Sequence, residues 1–157
     1  MNDILKLNAI EASAALQKGD TSSVELTKAY LAAADATAAL NNYVTLCEDK
    51  ALEMAQQSDK RRADGRARPL EGLPIGVKDL FCTSGVETTA CSDILRGFVP
   101  TYESTVTTKL WAAGGVMLGK LNCDEFAMGS ASESPIVFLP KSRPRNICPG
   151  EIAFISS

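Results

Sequence analysis

Leu73-Pro74-Ile75-Gly76-Val77-Lys78-Asp79 is a short apolar run with a cation set near its end. Its length and content suit a buried strand. A second run, Val116-Met117-Leu118, is apolar at every position, as strands are in sheets covered on both faces. Between them, residues 104–113 place Val106, Leu110 and Ala113 on one helical face, and Gly114 stands where such a helix closes. Working outward to the N-terminus, Ala9, Ile10, Ala14 and Leu16 recur at helical spacing before Gly19-Asp20. Ser22-Ser23-Val24-Glu25 has the form of a capping box opening a second helix to about residue 39. Tyr43-Val44-Thr45-Leu46 reads as a strand, and a polar helix over about residues 49–63 ends at Gly65. Helices alternating with apolar strands predict an α/β fold: N-terminal helices, then a partial mixed or parallel sheet covered by helices.

Lys78 is the residue in this frame that needs a reason. An ammonium taken out of water either finds a carboxylate or gives up its proton, and a neutral amine is a usable general base. Asp79 is a poor partner because successive strand side chains point to opposite faces. The residues alone leave ion pairing and catalysis both open. The chain has no histidine, which removes Ser-His and Cys-His catalysis and histidine metal ligands; acid–base chemistry must run through carboxylates, thiols or amines.

At 157 residues, 45% apolar and 22% charged, the composition is that of one globular domain. A net charge of -3 provides no global basic field for nucleic acid. Met1-Asn2-Asp3-Ile4-Leu5-Lys6 lacks the features of a secretory signal, and no apolar stretch is long enough to span a bilayer, so a soluble cytoplasmic protein without membrane contact is expected. Cys47, Cys82, Cys91, Cys123 and Cys148 are odd in number and contain no Cys-x-x-Cys pair, which points to reduced, mostly buried thiols and no metal site.

Two features invite functional readings that their context opposes. Lys60-Arg61-Arg62, with Arg66 and Arg68, lies at a helix C-terminus, where the dipole attracts cations, and no aromatic residue interleaves it for base stacking. Gly114-Gly115-Val116-Met117-Leu118-Gly119-Lys120 has phosphate-loop spacing, but Leu121 stands where Ser or Thr should ligate magnesium, and the intervening residues are strand-like.

Taken together, Leu70-Glu71-Gly72-Leu73-Pro74-Ile75-Gly76-Val77-Lys78-Asp79, Gly85-Val86-Glu87-Thr88-Thr89 and the segment from Ala113 to Asn122 resemble the amidase signature family. Asp124-Glu125-Phe126-Ala127-Met128-Gly129-Ser130 resembles, within it, the A subunits of aspartyl/glutamyl-tRNA amidotransferases. The resemblance covers residues 1–134 and implies an incomplete amidase-signature fold. It implies a triad of a nucleophilic serine, a second serine in a cis peptide, and a lysine at the position of Lys78. It places Met128, Gly129 and Ser130 along a glutamine pocket; the alternative for that segment is a loop packing Phe126 and Met128 into the core. Ammonia released from glutamine would travel to a partner subunit, where ATP and Mg serve to activate tRNA-bound glutamate. No cofactor is expected in this chain; the implied partners are the B and C subunits, with misacylated tRNA held mainly by the partner.

After Ser134 the sequence departs from the family pattern. Residues 135–150 hold four of the seven prolines and one glycine, in place of the Gly/Ser-rich stretches that carry the two serines. Residues 135–157 are therefore expected to form an irregular, non-homologous tail, out-of-frame in origin, and the chain is expected to be catalytically silent by itself. Val116-Met117-Leu118 and Ile75-Gly76-Val77 would then lack neighbours, predicting marginal stability. A fragment of a stand-alone amidase for another small amide and a non-catalytic partner-binding module are the alternatives.

Overall fold

The computed structural model describes residues 3–129. Ser130 and the tail over residues 135–157, including Cys148, lie outside the described residues. A 3-10 turn (Asp3–Lys6) leads into α1 (Ala9–Lys18) and α2 (Ser23–Ala36); β1 (Tyr43–Leu46), α3 (Glu48–Ala63), β2 (Pro74–Lys78), α4 (Thr105–Ala113) and β3 (Val116–Leu121) follow. The fold is α/β, with four helices and a small mixed sheet in the order β1-β3-β2, in which β2 runs parallel and β1 antiparallel to β3.

Local rules start and stop these helices. The Ser22 side chain accepts from the Glu25 N–H while the Glu25 carboxylate accepts from the Ser22 N–H, completing the capping box; Asn8 and Glu11 build a second one on α1. α2 ends at Ala36, earlier than its periodicity suggests, because the Thr37 hydroxyl turns back to the Ala33 carbonyl at 2.8 Å. The chain then makes a 3-10 turn (Ala38–Leu40) closed by Asn41 at φ 53°.

All six residues of β3 are buried, and α2, α3, β1 and β2 surround it. Leu26, Tyr30, Leu31, Ala51, Ala55, Leu73, Val116 and Leu118 form the main core with Ala12 and Leu16 of α1. Val116-Met117-Leu118 has strands on both sides, contrary to the expectation that it would want for neighbours, while Ile75 and Val77 are buried although β2 remains an edge strand of the described sheet. The face of α4 holding Val106, Leu110 and Ala113 is only half-covered; its one buried residue is Thr107. Gly119 lets the bulged β1 close against β3, since a Cβ there would sit 2.2 Å from the Thr45 carbonyl oxygen.

Glu71 fastens the entrance to β2. Its fully buried carboxylate accepts from Arg68 Nε at 2.6 Å, Arg68 Nη2 at 3.1 Å and Ser58 Oγ at 2.6 Å, with Arg61 at 3.5 Å. Burial alone would raise the pKa of this acid, but the Arg68 and Ser58 hydrogen bonds hold it below its ordinary value. Arg62 donates to the Glu71 carbonyl. Three cations of the basic run are therefore turned onto one glutamate. Gly114, at φ 100°, permits the crossing, because a Cβ would meet the Glu71 Cα at 2.7 Å.

Candidate functional site

Parallel strands β2 and β3 end side by side, with Lys78 opposite Leu121. Crevices beyond the carboxyl ends of such strands are where α/β folds present ligands, because the chain must leave the sheet there in loops. Two segments meet at this end: residues 79–104 after β2 and residues 122–129 after β3. Phe126 N–H donates to the Ala90 carbonyl at 2.9 Å, Ser92 Oγ to Glu125 Oε1 at 2.6 Å, and Cys123 N–H to Cys91 Sγ at 3.2 Å. Four of the five described non-glycine residues with positive φ lie in these segments: Ala90, Cys91, Phe126 and Ala127. Backbone strain is concentrated where it shapes a site.

Asp79 organises the first segment. Its Oδ2 accepts from Thr89 Oγ1 at 2.6 Å and from the Thr89 and Cys91 N–H groups at 3.1 and 3.3 Å. Oδ1 has no hydrogen bond and faces Lys120 Nζ at 3.6 Å. The Lys120 side chain is wholly buried; its ammonium donates to the Phe81 carbonyl and to Thr88 Oγ1 at 2.9 Å. Burial pulls the Lys120 pKa below its ordinary value, against the opposing attraction of Asp79.

The deeply buried lysine of the sheet is therefore Lys120 rather than Lys78. Lys120 does not belong to a phosphate loop either: Gly114 caps α4, and a strand follows it. Lys78 sits half-buried at the end of β2, its side chain without a hydrogen bond or ion pair to any described residue, and the Asp79 carboxylate is engaged elsewhere. Its charge is felt by Cys123, which the hydrogen bond with Cys91 and then Lys78 draw down from the ordinary thiol range against burial. The Lys78 amine is thus held at the mouth of the strands, outside the core, and its side chain has no partner among the described residues.

Met128 is 82% exposed and Phe126 also reaches solvent, so this loop does not pack them into the core. Gly129 lies against Asp124, where a Cβ would come within 2.4 Å of its carboxyl carbon. The structure brings Lys78, Met128 and Gly129 to the same end of the sheet. Asp79, Lys120, Thr89, Cys91 and Cys123 are the site residues that sequence reading missed. The signal available for Lys120 was the one used for Lys78: a lone cation in an otherwise apolar strand. Among the described residues no group of three or more Cys, Asp or Glu side chains converges as metal ligands, and no helix is long and apolar enough to cross a membrane.

The sheet ends in a lysine-bearing strand of the kind the resemblance implied, and the amidase family pattern matches residues 25–147: the chain belongs to the amidase family. It is 59% identical over 134 residues to the glutamyl-tRNA(Gln) amidotransferase A subunit of Parvibaculum lavamentivorans, covering 85% of this chain and 27% of that protein. Its counterpart of the same name from Caulobacter vibrioides is 62% identical over 122 residues, covering 78% of this chain and 25% of its own length. A solved amidase structure superposes with a TM-score of 0.78 at 29% identity, over 86% of this chain and 31% of its own. The chain thus spans about a quarter of the curated relatives it matches.

Proposed function

We propose that this chain is the lysine-bearing N-terminal part of the A subunit of a tRNA-dependent amidotransferase, an enzyme that hydrolyses glutamine to supply ammonia. The observation that carries the reading is Lys78: a half-buried amine without a partner among the described residues, at the carboxyl end of two parallel strands. In this reading the Lys78 amine acts in its neutral form, taking a proton through a bridging serine from a nucleophilic serine that attacks the glutamine side-chain amide. Met128, Gly129 and Ser130 line the pocket for the glutamine head group, with Gly129 leaving room beside Asp124. Ammonia then passes to a partner, the B subunit in a complex completed by C, which uses ATP and Mg to activate glutamate on its tRNA.

Neither serine has a Gly/Ser-rich stretch to sit in within these 157 residues, so the chain alone is expected to turn over no glutamine. Residues 135–157 remain assigned to a separate tail; reading the downstream DNA in the other two frames for a Gly-Gly-Ser-Ser-Gly-Gly-like stretch tests that assignment. The catalytic reading is tested by grafting residues 1–129 of this chain in place of the matching part of a full-length amidotransferase of this kind, then measuring ammonia release from glutamine. Activity in the chimera that Lys78→Ala lowers by at least ~10³-fold is expected for loss of an essential base. Unchanged turnover in the folded Lys78→Ala chimera would reject the assignment.

A further inference from the structure

Cys91 and Cys123 are free thiols whose sulfurs lie 3.5 Å apart. Backbone geometry holds them there. Asp79 fixes Cys91 through its N–H, with Ala90 and Cys91 at φ 50° and 53°, and Cys123 donates its own N–H to Cys91 Sγ at 3.2 Å. Cys123 follows the end of β3 and Cys91 lies beside Asp79 in the segment after β2, so a disulfide of about 2.05 Å requires the 3.5 Å gap to close. Among the described residues Cys47 and Cys82 have no such neighbour: the Cys82 sulfur meets Tyr102 Oη at 3.5 Å.

We propose that Cys91 and Cys123 form a dithiol oxidation site, which a hydroperoxide converts into a disulfide joining the segments after β2 and β3 beside Lys78. This goes beyond the amidotransferase reading and does not depend on it. Cys123, 6% exposed where Cys91 is fully buried, is the sulfur that meets the oxidant. The hydrogen bond shared with Cys91 and then the Lys78 charge draw the Cys123 thiol down from its ordinary range, while Cys91 is pushed far up. The Cys123 thiolate attacks one peroxide oxygen; the O–O bond breaks, Cys123 becomes a sulfenic acid, and the departing alkoxide or hydroxide takes up the proton Cys123 gave away. Cys91 sulfur then attacks the sulfenic sulfur, the S–O bond breaks, and hydroxide leaves with the Cys91 proton as water. Two thiols lose two electrons and two protons; with hydrogen peroxide as oxidant, two waters form.

The test treats the purified full chain with a slight excess of hydrogen peroxide, alkylates it under denaturing conditions, and reads intact mass and a non-reduced peptide map. The expected product takes up label at three of its five cysteines, is lighter by two hydrogens before labelling, and carries a Cys91–Cys123 cross-link that dithiothreitol reverses. In Cys91→Ser the cross-link disappears and a dimedone-reactive sulfenic acid collects at Cys123. Full labelling of all five thiols after treatment, a cross-link between any other pair, or one joining two chains would overturn the proposal. The wild-type map suffices for that decision, whatever the folding of the variant.

Discussion

The two ends of β2 hold buried charge in opposite ways. At the entrance, both oxygens of Glu71 are occupied, by Arg68, Arg61 and Ser58, and the charge is fully compensated. At the exit, Asp79 spends one oxygen on three donors and leaves the other to the charge of Lys120, while Lys78 beside it has no partner among the described residues. Buried polar groups that are satisfied rigidify a fold, and incompletely satisfied ones require another reason to persist. Strained backbone collects at the same exit, at Ala90, Cys91, Phe126 and Ala127. The entrance is built for stability, whereas at the exit Lys120 takes the structural charge of Asp79 and leaves the Lys78 side chain without a partner among the described residues, as the proposed catalytic role requires.

The sharpest way to break this division is Lys120→Met, which keeps the volume and strands a buried carboxylate. It is expected to cost about 3–5 kcal/mol in urea unfolding, with part of the loss recovered in the Asp79→Asn double variant. A cost below about 1 kcal/mol would show that Lys120 has no structural part to play. Glu71→Gln comes next, at about 2–3 kcal/mol, because Arg68 and Arg61 are partly solvated and rehydrate when the charge goes. Glu71 sits below its ordinary value in the fold, so its contribution is complete above the unfolded value of 4.5 and fades as pH falls through the folded one. Acid unfolding of Glu71→Gln should therefore be flatter than that of the parent; parallel curves would contradict the pairing.

Tyr43 gives a smaller effect of the other sign. Its hydroxyl is buried without a hydrogen-bond partner, and burial, helped by Tyr30, pushes it up from 10 to about 12. Below pH 10 both states keep the proton. Between 10 and 12 the unfolded chain ionises first, so stability falls as pH rises, by about 2 kcal/mol. Tyr43→Phe should abolish that alkaline loss and be neutral or stabilising by up to about 1 kcal/mol at pH 7. The smallest change is expected at the exit itself: Lys78→Ala should move the unfolding free energy by no more than about 0.5 kcal/mol.

What could be read from the sequence were features decided within a few residues. Ser22 with Glu25 carries its capping box in its own spacing, and Gly114 announces a helix end followed by a strand. The apolar runs around Val77 and Leu118 gave the sheet, while the partner of the basic run at Arg61 and Arg62, Glu71, was not foreseen. Lys120 was missed because its partner depends on how two distant strands are matched, and a register shift between Ile75 and Gly76 sets which side chains share a face. The same register, together with left-handed turns at Ala90 and Cys91, brings Cys91 to Cys123. No local pattern encodes either juxtaposition. Lys78 was found for a partly mistaken reason: it is half-buried at a strand end, and the deep burial argued for it belongs to Lys120.

The division between the two lysines is tested most directly by acetylating the native chain with a brief, limiting pulse of acetic anhydride and mapping the modified lysines by mass spectrometry. The account predicts that Lys78 is modified readily while Lys120 stays protected until the chain is globally unfolded. Acetylation of Lys120 in the native state, or protection of Lys78 to the same degree, would contradict it.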